Sequence, residues 1–365
     1  MTARRPWLDG GMPAYDAFLL VSFGGPEGPD EVMPFLENVT RGRNIPPERL
    51  ASVAEHYYAF GGVSPINQQC RDLLAAVRAD FSASGLSLPV YWGNRNWTPY
   101  LTDTVRAMAG DGVRRAVAFV TSAYSSYSSC RQYLDDIERA RAAAGPDAPR
   151  IDKIGRFYDH PGFIEPFAAS TRTALAALPA DLRDGAHLVF TAHSIPVAMA
   201  EASGPGGGNR YVAELTEAAR LITERVAGEL HPWTLAYQSR SGPPSQPWLE
   251  PDVCDHLEDL AKAGTKAVVV IPVGFVSDHM EVGHDLDVEA ARSADSLGLA
   301  FARAATPGTH PRFAAMITEL VTERLARPEG TGPDCPADCC RYARPARERE
   351  QPAGREWQQP GASPA

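Results

Sequence analysis

Short runs of apolar and β-branched residues alternate along the chain with stretches of helical periodicity. Each run ends in a loop, which is the order expected of parallel β-α-β units. The predicted strands are 17–23, 88–92, 116–121, 187–191, 233–238 and 267–273. The predicted helices are 67–81, 100–109, 133–144, 166–177, 212–230 and 285–296. The pattern therefore predicts an α/β protein with two open parallel sheets.

The length of the chain and its helix-breaking residues indicate two domains. At 365 residues the chain exceeds the usual size of about 150 residues for one domain. Gly145, Pro146 and Pro149 end a helical pattern before a new apolar run begins. We predict a disordered N-terminus 1–13, a first domain 14–150, a second domain 151–310, a helix 311–327 that returns to the first domain, a cysteine-bearing extension 328–344 and a disordered tail 345–365.

Charge and hydropathy exclude several classes of protein. A net charge of −10 opposes binding to a phosphate backbone, so nucleic acid is not expected as a partner. The longest apolar run, 267–276, is shorter than the roughly 20 residues of a membrane helix, and no secretory signal follows the N-terminal arginines. We expect no transmembrane segment and a cytoplasmic location, where six cysteines are more often metal ligands, reactive thiols or core residues than disulfides.

His193 is the first candidate for chemistry. It directly follows a predicted strand, and ligands of open α/β sheets bind at the carboxyl ends of strands. Its imidazole can act as a base or a metal ligand, although a histidine there can also simply bond a backbone carbonyl. A hydrolase that uses Ser194 is excluded because adjacent strand residues face opposite ways and no Gly-x-Ser-x-Gly motif is present.

Three carboxylates form the second candidate. A helix that begins near His279 places Glu281, Asp285 and Glu289 at i, i+4 and i+8, on one face. A solvated helix face is the simpler interpretation of such a row. However, this row starts at the end of a strand, and an acidic ladder into a cleft would attract a divalent cation or relay protons.

The cysteines near the C-terminus indicate a metal site. Cys335, Cys339 and Cys340 lie in a segment with few apolar residues. Three thiolates need a fourth ligand from the body of the protein, and both zinc and an iron–sulfur cluster fit. Cys70 and Cys254 fall in predicted helices, whereas Cys130 lies in a polar loop after a strand, so we expect Cys130 to be the internal ligand.

Five segments of the chain resemble motifs of the ferrochelatases, the enzymes that insert ferrous iron into a porphyrin in haem synthesis. They are Leu19-Leu-Val-Ser-Phe-Gly-Gly-Pro26, Gly61-Gly-Val-Ser-Pro65, Thr191-Ala-His-Ser-Ile-Pro196, Gln238-Ser-Arg-Ser-Gly-Pro243 and Ser277-Asp-His-Met-Glu281. The resemblance runs from about residue 16 to residue 325. It implies two similar Rossmann-like domains of the chelatase type, with a porphyrin cleft between them.

The resemblance also implies roles for individual residues. His193 matches the histidine that binds iron and accepts pyrrole protons, and Glu281 matches the carboxylate that faces it. Asp285 and Glu289 resemble the path or outer site for the incoming metal. The positions that match substrate-binding regions are Phe23, which lies next to the macrocycle and offers no oxygen ligand, and Arg41, Arg43, Ser64 and Tyr133, which match regions that hold propionates.

Two porphyrins are used in this family, and the sequence most resembles its actinobacterial members. Few of the 35 basic residues are lysines, and the C-terminal cysteine cluster is similar to theirs. The resemblance implies coproporphyrin III and Fe2+ as substrates, a two-iron, two-sulfur cluster on Cys130, Cys335, Cys339 and Cys340, and a downstream coproheme-processing enzyme as a partner. A protoporphyrin IX ferrochelatase and a non-catalytic carrier of tetrapyrrole or metal are the alternatives.

Overall fold

The computed structural model describes residues 15–42, 45–227, 231–242, 245–327, 336 and 338–342. The predicted segments 1–13 and 345–365 lie outside these residues, as do Arg43 and Cys335. The described chain forms two parallel four-stranded sheets flanked by helices, which confirms the predicted α/β class.

The two sheets have the same strand order. Reading across each sheet gives β2-β1-β3-β4 and β6-β5-β7-β8, and all neighbouring strands are parallel. The strands of the first sheet are β1 (Ala17–Ser22), β2 (Val90–Asn94), β3 (Arg115–Val120) and β4 (Arg150–Lys153). Those of the second sheet are β5 (His187–His193), β6 (Trp233–Gln238), β7 (Ala267–Ile271) and β8 (Ala300–Arg303).

Helices connect the strands and cover the faces of the sheets. The α-helices are α1 (Pro29–Val39), α2 (Pro47–Ala59), α3 (Ile66–Ala83), α4 (Leu101–Gly110), α5 (Gln132–Ala144), α6 (Pro161–Ala177), α7 (Val197–Glu201), α8 (Arg210–Ala227), α9 (Val253–Lys262), α10 (Met280–Val282), α11 (Ala291–Ser296) and α12 (Pro311–Ala326). Two π-helices span Tyr127–Arg131 and Gly283–Ala290. No helix of the described chain is long and apolar enough to cross a membrane.

The central strands form because they can be buried on both faces. Every residue of β1 and β7 is buried, and both sequences are nearly continuous in apolar residues. Such runs are typical of parallel sheets, since helices lie on both sides. The four-residue edge strands β4 and β8 were not predicted because their sequences, Arg-Ile-Asp-Lys and Ala-Phe-Ala-Arg, lack such a run.

The strand order of each sheet creates a point where a ligand can bind. The chain passes from β1 to one neighbour and then crosses to β3 on the other side, and β5, β6 and β7 repeat this path. Ligands of open α/β sheets bind beside such reversals, at the carboxyl ends of the strands. The two reversals face each other, because Tyr124, after β3, donates a hydrogen bond of 2.8 Å to the carbonyl of Val273, after β7.

The last helix joins the two halves of the chain. On α12, Thr318 donates to Asp80 of α3, and the Nε of Arg324 donates to the hydroxyl of Tyr15 at 2.8 Å. The same helix packs closely on α6, where a Cβ on Gly162 would lie 2.5 Å from the Cβ of Met316. Helix α12 therefore contacts helices that flank both sheets. Strand β4 pairs with β3 through Lys153, so the first sheet continues past the predicted boundary at residue 150.

Candidate active site

His193 is the last residue of β5, beside the strand-order reversal of the second sheet. Its Nδ1 hydrogen-bonds the carbonyl of Ser194, and its side chain is 32% exposed. A carbonyl can only accept, so Nδ1 carries the hydrogen of the neutral ring. The lone pair of the ring therefore lies on Nε2, which is the nitrogen that can accept a proton or bind a metal ion.

Glu281 lies opposite this nitrogen. Its Oε2 is 3.7 Å from Nε2 of His193, and its side chain is 48% exposed. The short helix α10 carries Glu281 and is capped by His279, whose Nδ1 accepts from the Glu281 amide at 3.2 Å. The side-chain amide of Gln238, at the end of β6, donates to the Glu281 carbonyl at 3.1 Å. A base and a carboxylate thus face each other between two strand ends.

The spacing predicted that the acidic residues that follow would lie on an α-helix, but the structure places them on a π-helix. After α10 the chain forms the π-helix Gly283–Ala290, which carries Asp285 and Glu289. This geometry brings His284 into the cluster: potential ligand atoms of His284, Asp285 and Glu289 all lie within 4.8 Å of one another. Segments of π-helix are rare and frequently lie at functional sites.

Asp285 is the most perturbed carboxyl group of the cluster. Burial raises its pKa to about 6, and the nearby Glu281 carboxylate acts in the same direction, whereas a hydrogen bond from the Ser239 hydroxyl opposes the shift. A carboxyl group with such a pKa can exchange a proton near neutral pH. Asp285 therefore combines a position beside the His193–Glu281 pair with the ability to change charge.

A ring stack joins the two halves of the chain at this site, and no sequence pattern predicted it. The ring of His56, on α2, stacks on the ring of His284 with centroids 3.7 Å apart and an interplanar angle of 9°. Burial lowers the pKa of His56, which favours a neutral ring in this stack. The stack joins α2 to the π-helix, and nothing in the local sequence around either histidine indicates it.

Known proteins are similar to this chain over most of its length. The sequence model of the ferrochelatase family matches residues 15–325. The chain belongs to the ferrochelatase family. It is 55% identical to the coproporphyrin III ferrochelatase of Streptomyces coelicolor over 357 residues, covering 91% of this chain and 95% of that one. It is 58% identical to the coproporphyrin III ferrochelatase of Nocardia farcinica over 314 residues, covering 86% of this chain and 89% of that one.

Among solved structures, the fold of this ferrochelatase is similar to that of SirB from Bacillus subtilis with Fe3+. The TM-score is 0.53 at 14% sequence identity, and the match covers 87% of this chain and 98% of that one. At this identity the likeness concerns the fold alone. It supports the chelatase-type architecture of two similar parallel sheets that was predicted from the motifs.

The substrate-binding residues predicted for this ferrochelatase occupy different environments. Phe23, which follows β1, is 37% exposed and packs edge-on against Phe35 with centroids 6.4 Å apart. Tyr133 is only 4% exposed and lies beneath Arg95, whose guanidinium carbon is 4.6 Å from the Tyr133 ring centroid and 5.8 Å from that of Phe23. Arg95, which directly follows β2, therefore bridges the two predicted residues.

Three further residues, Ser64, Arg41 and Arg43, were predicted to contact the propionates. Ser64 is 4% exposed and packs against Gly25, where a Cβ would lie 2.6 Å from the Cβ of Ser64. Arg41 is exposed after α1. Burial raises the pKa of the Tyr100 hydroxyl, and the nearby positive charge of Arg41 opposes this shift. Arg43 lies outside the described residues. The small residue Gly25 thus allows the Ser64 loop to approach the end of β1.

The described cysteines of the C-terminal segment contact the loop between α7 and α8, which lies in the connection from β5 to β6. The Sγ atoms of Cys339 and Cys340 are 3.7 Å apart, and the Gly204 amide donates to Sγ of Cys340 at 3.2 Å. Burial raises the pKa of the Cys340 thiol to about 12, and the neighbouring Cys130 and Cys339 act in the same direction. Cys130, on the first π-helix, thus lies beside the C-terminal pair. Cys70 is buried in the core, where burial raises the pKa of its thiol to about 11.

Proposed function

We propose that this protein inserts Fe2+ into coproporphyrin III and releases Fe-coproporphyrin III (coproheme) in haem biosynthesis. The observation that carries the proposal is the placement of the His193 Nε2 lone pair 3.7 Å from Glu281, at the carboxyl edge of the second sheet. The substrate follows from the curated relatives at 55% and 58% identity, both of which bear the name coproporphyrin III ferrochelatase.

The reaction needs a base and a negative charge on one face of the macrocycle. Metal insertion removes two N–H protons from the free-base porphyrin and adds one dication, so the charge of the macrocycle does not change. The neutral imidazole of His193 accepts one pyrrole proton at Nε2 and releases it to solvent before it accepts the second. The Glu281 carboxylate stabilises the imidazolium that forms each time. The cleft also binds a distorted macrocycle, because a planar ring does not offer its lone pairs to an incoming metal ion.

The acidic π-helix supplies the metal to this pair. His284, Asp285 and Glu289 combine an imidazole with two carboxylates, a set of ligands that suits ferrous iron. Asp285 accepts hydrogen bonds from Ser239 and from Gln238, the residue that also holds the Glu281 carbonyl. Iron bound at this cluster is therefore one helical turn from Glu281, on the path that the sequence predicted.

Cationic and polar residues bind the propionates of the substrate. The proposed partners are Arg41 and Arg43, which follow α1 in the sequence, and Ser64, which follows α2. Tyr133 acts through Arg95, because the tyrosine is buried beneath that guanidinium. Phe23 offers an apolar ring to the macrocycle and no ligand to the metal.

The proposal is tested by anaerobic Fe2+ insertion followed by absorbance, with coproporphyrin III and protoporphyrin IX in parallel at equal concentrations. We expect coproporphyrin III to give the higher kcat/KM, since its four propionates can use the cationic residues. A preference for protoporphyrin IX would be compatible with the proposed active site but would contradict coproporphyrin III as the substrate. Tight binding with no turnover of either porphyrin would instead favour a carrier.

We further propose that a two-iron, two-sulfur cluster is held by Cys130, Cys335, Cys339 and Cys340. Two thiolates on one tetrahedral metal ion lie about 3.8 Å apart when each metal–sulfur bond is about 2.3 Å, and the Cys339–Cys340 separation of 3.7 Å fits this edge. The three described cysteines are buried, and the Gly204 N–H aimed at Cys340 is the type of donor that stabilises cluster sulfurs. The bound cluster would supply a covalent tie between the C-terminal segment and the first π-helix.

Chemical analysis of anaerobically purified protein tests the cluster. We expect a brown protein that contains iron and acid-labile sulfide, and we expect Cys130→Ser to lose both, because four thiolates are needed. Cys70→Ser is the matched control, since Cys70 is equally buried but lies in the core away from Cys340. Wild-type protein without iron and sulfide, or Cys130→Ser protein that retains them, would contradict the assignment.

A further inference from the structure

A buried tyrosine holds the backbone at the catalytic histidine. Tyr211, in the first turn of α8, donates its hydroxyl to the carbonyl oxygen of His193 at 2.9 Å. Only 4% of Tyr211 is exposed, and burial raises the pKa of its phenol far above the usual value, so the hydroxyl keeps its hydrogen and donates. None of the five family motifs contains this residue.

The peptide that Tyr211 holds also orients the imidazole of His193. The next amide in the chain, that of Ser194, donates to the Gln238 carbonyl at 2.8 Å, and the Ser194 hydroxyl donates to Leu249 at 2.8 Å. The Ser194 carbonyl then accepts from Nδ1 of His193. Because the ring is hydrogen-bonded to its own backbone, a shift of the 193–194 peptide redirects Nε2 relative to Glu281.

The other end of Tyr211 is connected to the C-terminal cysteine segment. The backbone amide of Tyr211 donates to Oγ of Ser203 at 2.8 Å. Gly204, which follows Ser203 in the sequence, donates its amide to Sγ of Cys340 at 3.2 Å. The segment 338–342 is anchored a second time, since the side-chain amide of Gln246 donates to the Tyr342 hydroxyl at 3.1 Å. A continuous series of contacts therefore runs from Cys340 to His193.

We propose that Tyr211 is a positioning residue for His193, and that Cys340 sets the position of Tyr211 through Gly204 and Ser203. The proposal rests on the proposed function, because its kinetic readout is iron insertion. Through this route the C-terminal segment affects the reaction, because it keeps the imidazole of His193 aligned with the carboxylate of Glu281. The effect belongs to the turnover step, since none of these residues needs to contact the porphyrin.

The first test compares Tyr211→Phe with Tyr237→Phe. Tyr237, on β6, is also 4% exposed, but its hydroxyl is not the donor to His193. For Tyr211→Phe we expect kcat to fall about tenfold with the KM for coproporphyrin within twofold, because misplacement of a reacting group slows chemistry more than binding. The ring 15N signals of His193, assigned with His193→Ala, should shift in Tyr211→Phe and stay in place in Tyr237→Phe. Wild-type kcat with unshifted signals would overturn the positioning role.

The second test measures the coupling between Cys340 and Tyr211. Cys340→Ala removes the acceptor of the Gly204 amide, so it should move the His193 signals in the direction seen with Tyr211→Phe. In the double variant, kcat should fall no further than in the more affected single variant, because both act through one route. Multiplying effects, or unmoved His193 signals in Cys340→Ala, would remove the cysteine from the route.

Ser203→Ala keeps all six cysteines and interrupts the same route, so it replaces Cys340→Ala if that variant does not fold. The spectra separate this inference from the proposed function. If the wild-type protein inserts no iron but Tyr211→Phe moves the His193 signals, the proposed function fails and the positioning contact stands. If the wild-type protein is active and Tyr211→Phe equals it in kcat and in spectrum, the inference alone fails.

Discussion

His193→Ala should lower the kcat of iron insertion by about 10³-fold, the middle of the usual range for loss of a general base. The variant removes the Nε2 lone pair that lies 3.7 Å from Oε2 of Glu281. Pyrrole protons must then leave to water rather than to the imidazole. The measurement is anaerobic turnover by absorbance, together with the Kd for coproporphyrin from quenching of its fluorescence.

We expect the Kd of His193→Ala to stay within a few-fold of the wild-type value, because the propionate contacts proposed above do not involve His193. His310→Asn serves as the control: His310 caps α12 through the Arg312 amide, and asparagine is also a good cap. Turnover of His193→Ala within threefold of the wild type would remove this histidine from the mechanism.

Glu281→Gln should lower kcat by about 10²-fold with little change in KM. Glutamine keeps the shape of the side chain and loses its charge, so the imidazolium that forms on His193 no longer has an anionic partner. Glu281→Asp restores the charge at a longer distance, and we expect it to recover part of the lost activity. Steady-state insertion assays of both variants at saturating Fe2+ provide the measurement.

An exposed carboxylate outside the cleft provides the control for this pair of variants. Glu258, on α9, forms an ion pair with Lys262 at 3.5 Å, and its neutralisation as Glu258→Gln should leave insertion unchanged. Equal kcat values for Glu281→Gln and the wild type would show that the carboxylate does not act in the rate-limiting step. A large rise in KM for iron with normal kcat would instead assign Glu281 to metal binding.

The central strands and the region of the active site could be predicted because both depend on local patterns. β1, β5 and β7 are apolar runs, and the residues after such strands meet wherever the sheet order reverses. The π-helix Gly283–Ala290 could not be predicted in this way, since periodicity arguments assume the α-helical repeat. The stack of His56 on His284 could not be predicted for another reason, because it joins residues that are far apart in sequence and have no local pattern that indicates the contact.

The cysteine cluster shows the same division between local and long-range information. Three cysteines close together near the C-terminus indicated a metal site from composition alone. Which internal cysteine approaches them depends on where the chain returns after α12, and the structure places Cys130 beside Cys340. The role of Tyr211 depends on one hydroxyl reaching a backbone carbonyl across two elements, a contact that only coordinates reveal.

The repeated strand order gives the cleft two sides that correspond in position and differ in chemistry. In the first sheet Ala17 pairs with Ala116 and Phe18 with Val90, and in the second His187 pairs with Val268 and Leu188 with Trp233, so His187 is the counterpart of Ala17. Counting on from this match, His193 is the counterpart of Phe23. The two corresponding positions therefore carry different chemistry, since His193 has a basic imidazole and Phe23 an inert phenyl ring. Under the proposed function, we expect the protein to remove pyrrole protons only on the His193 side of the macrocycle, because the corresponding position of the first sheet offers no base.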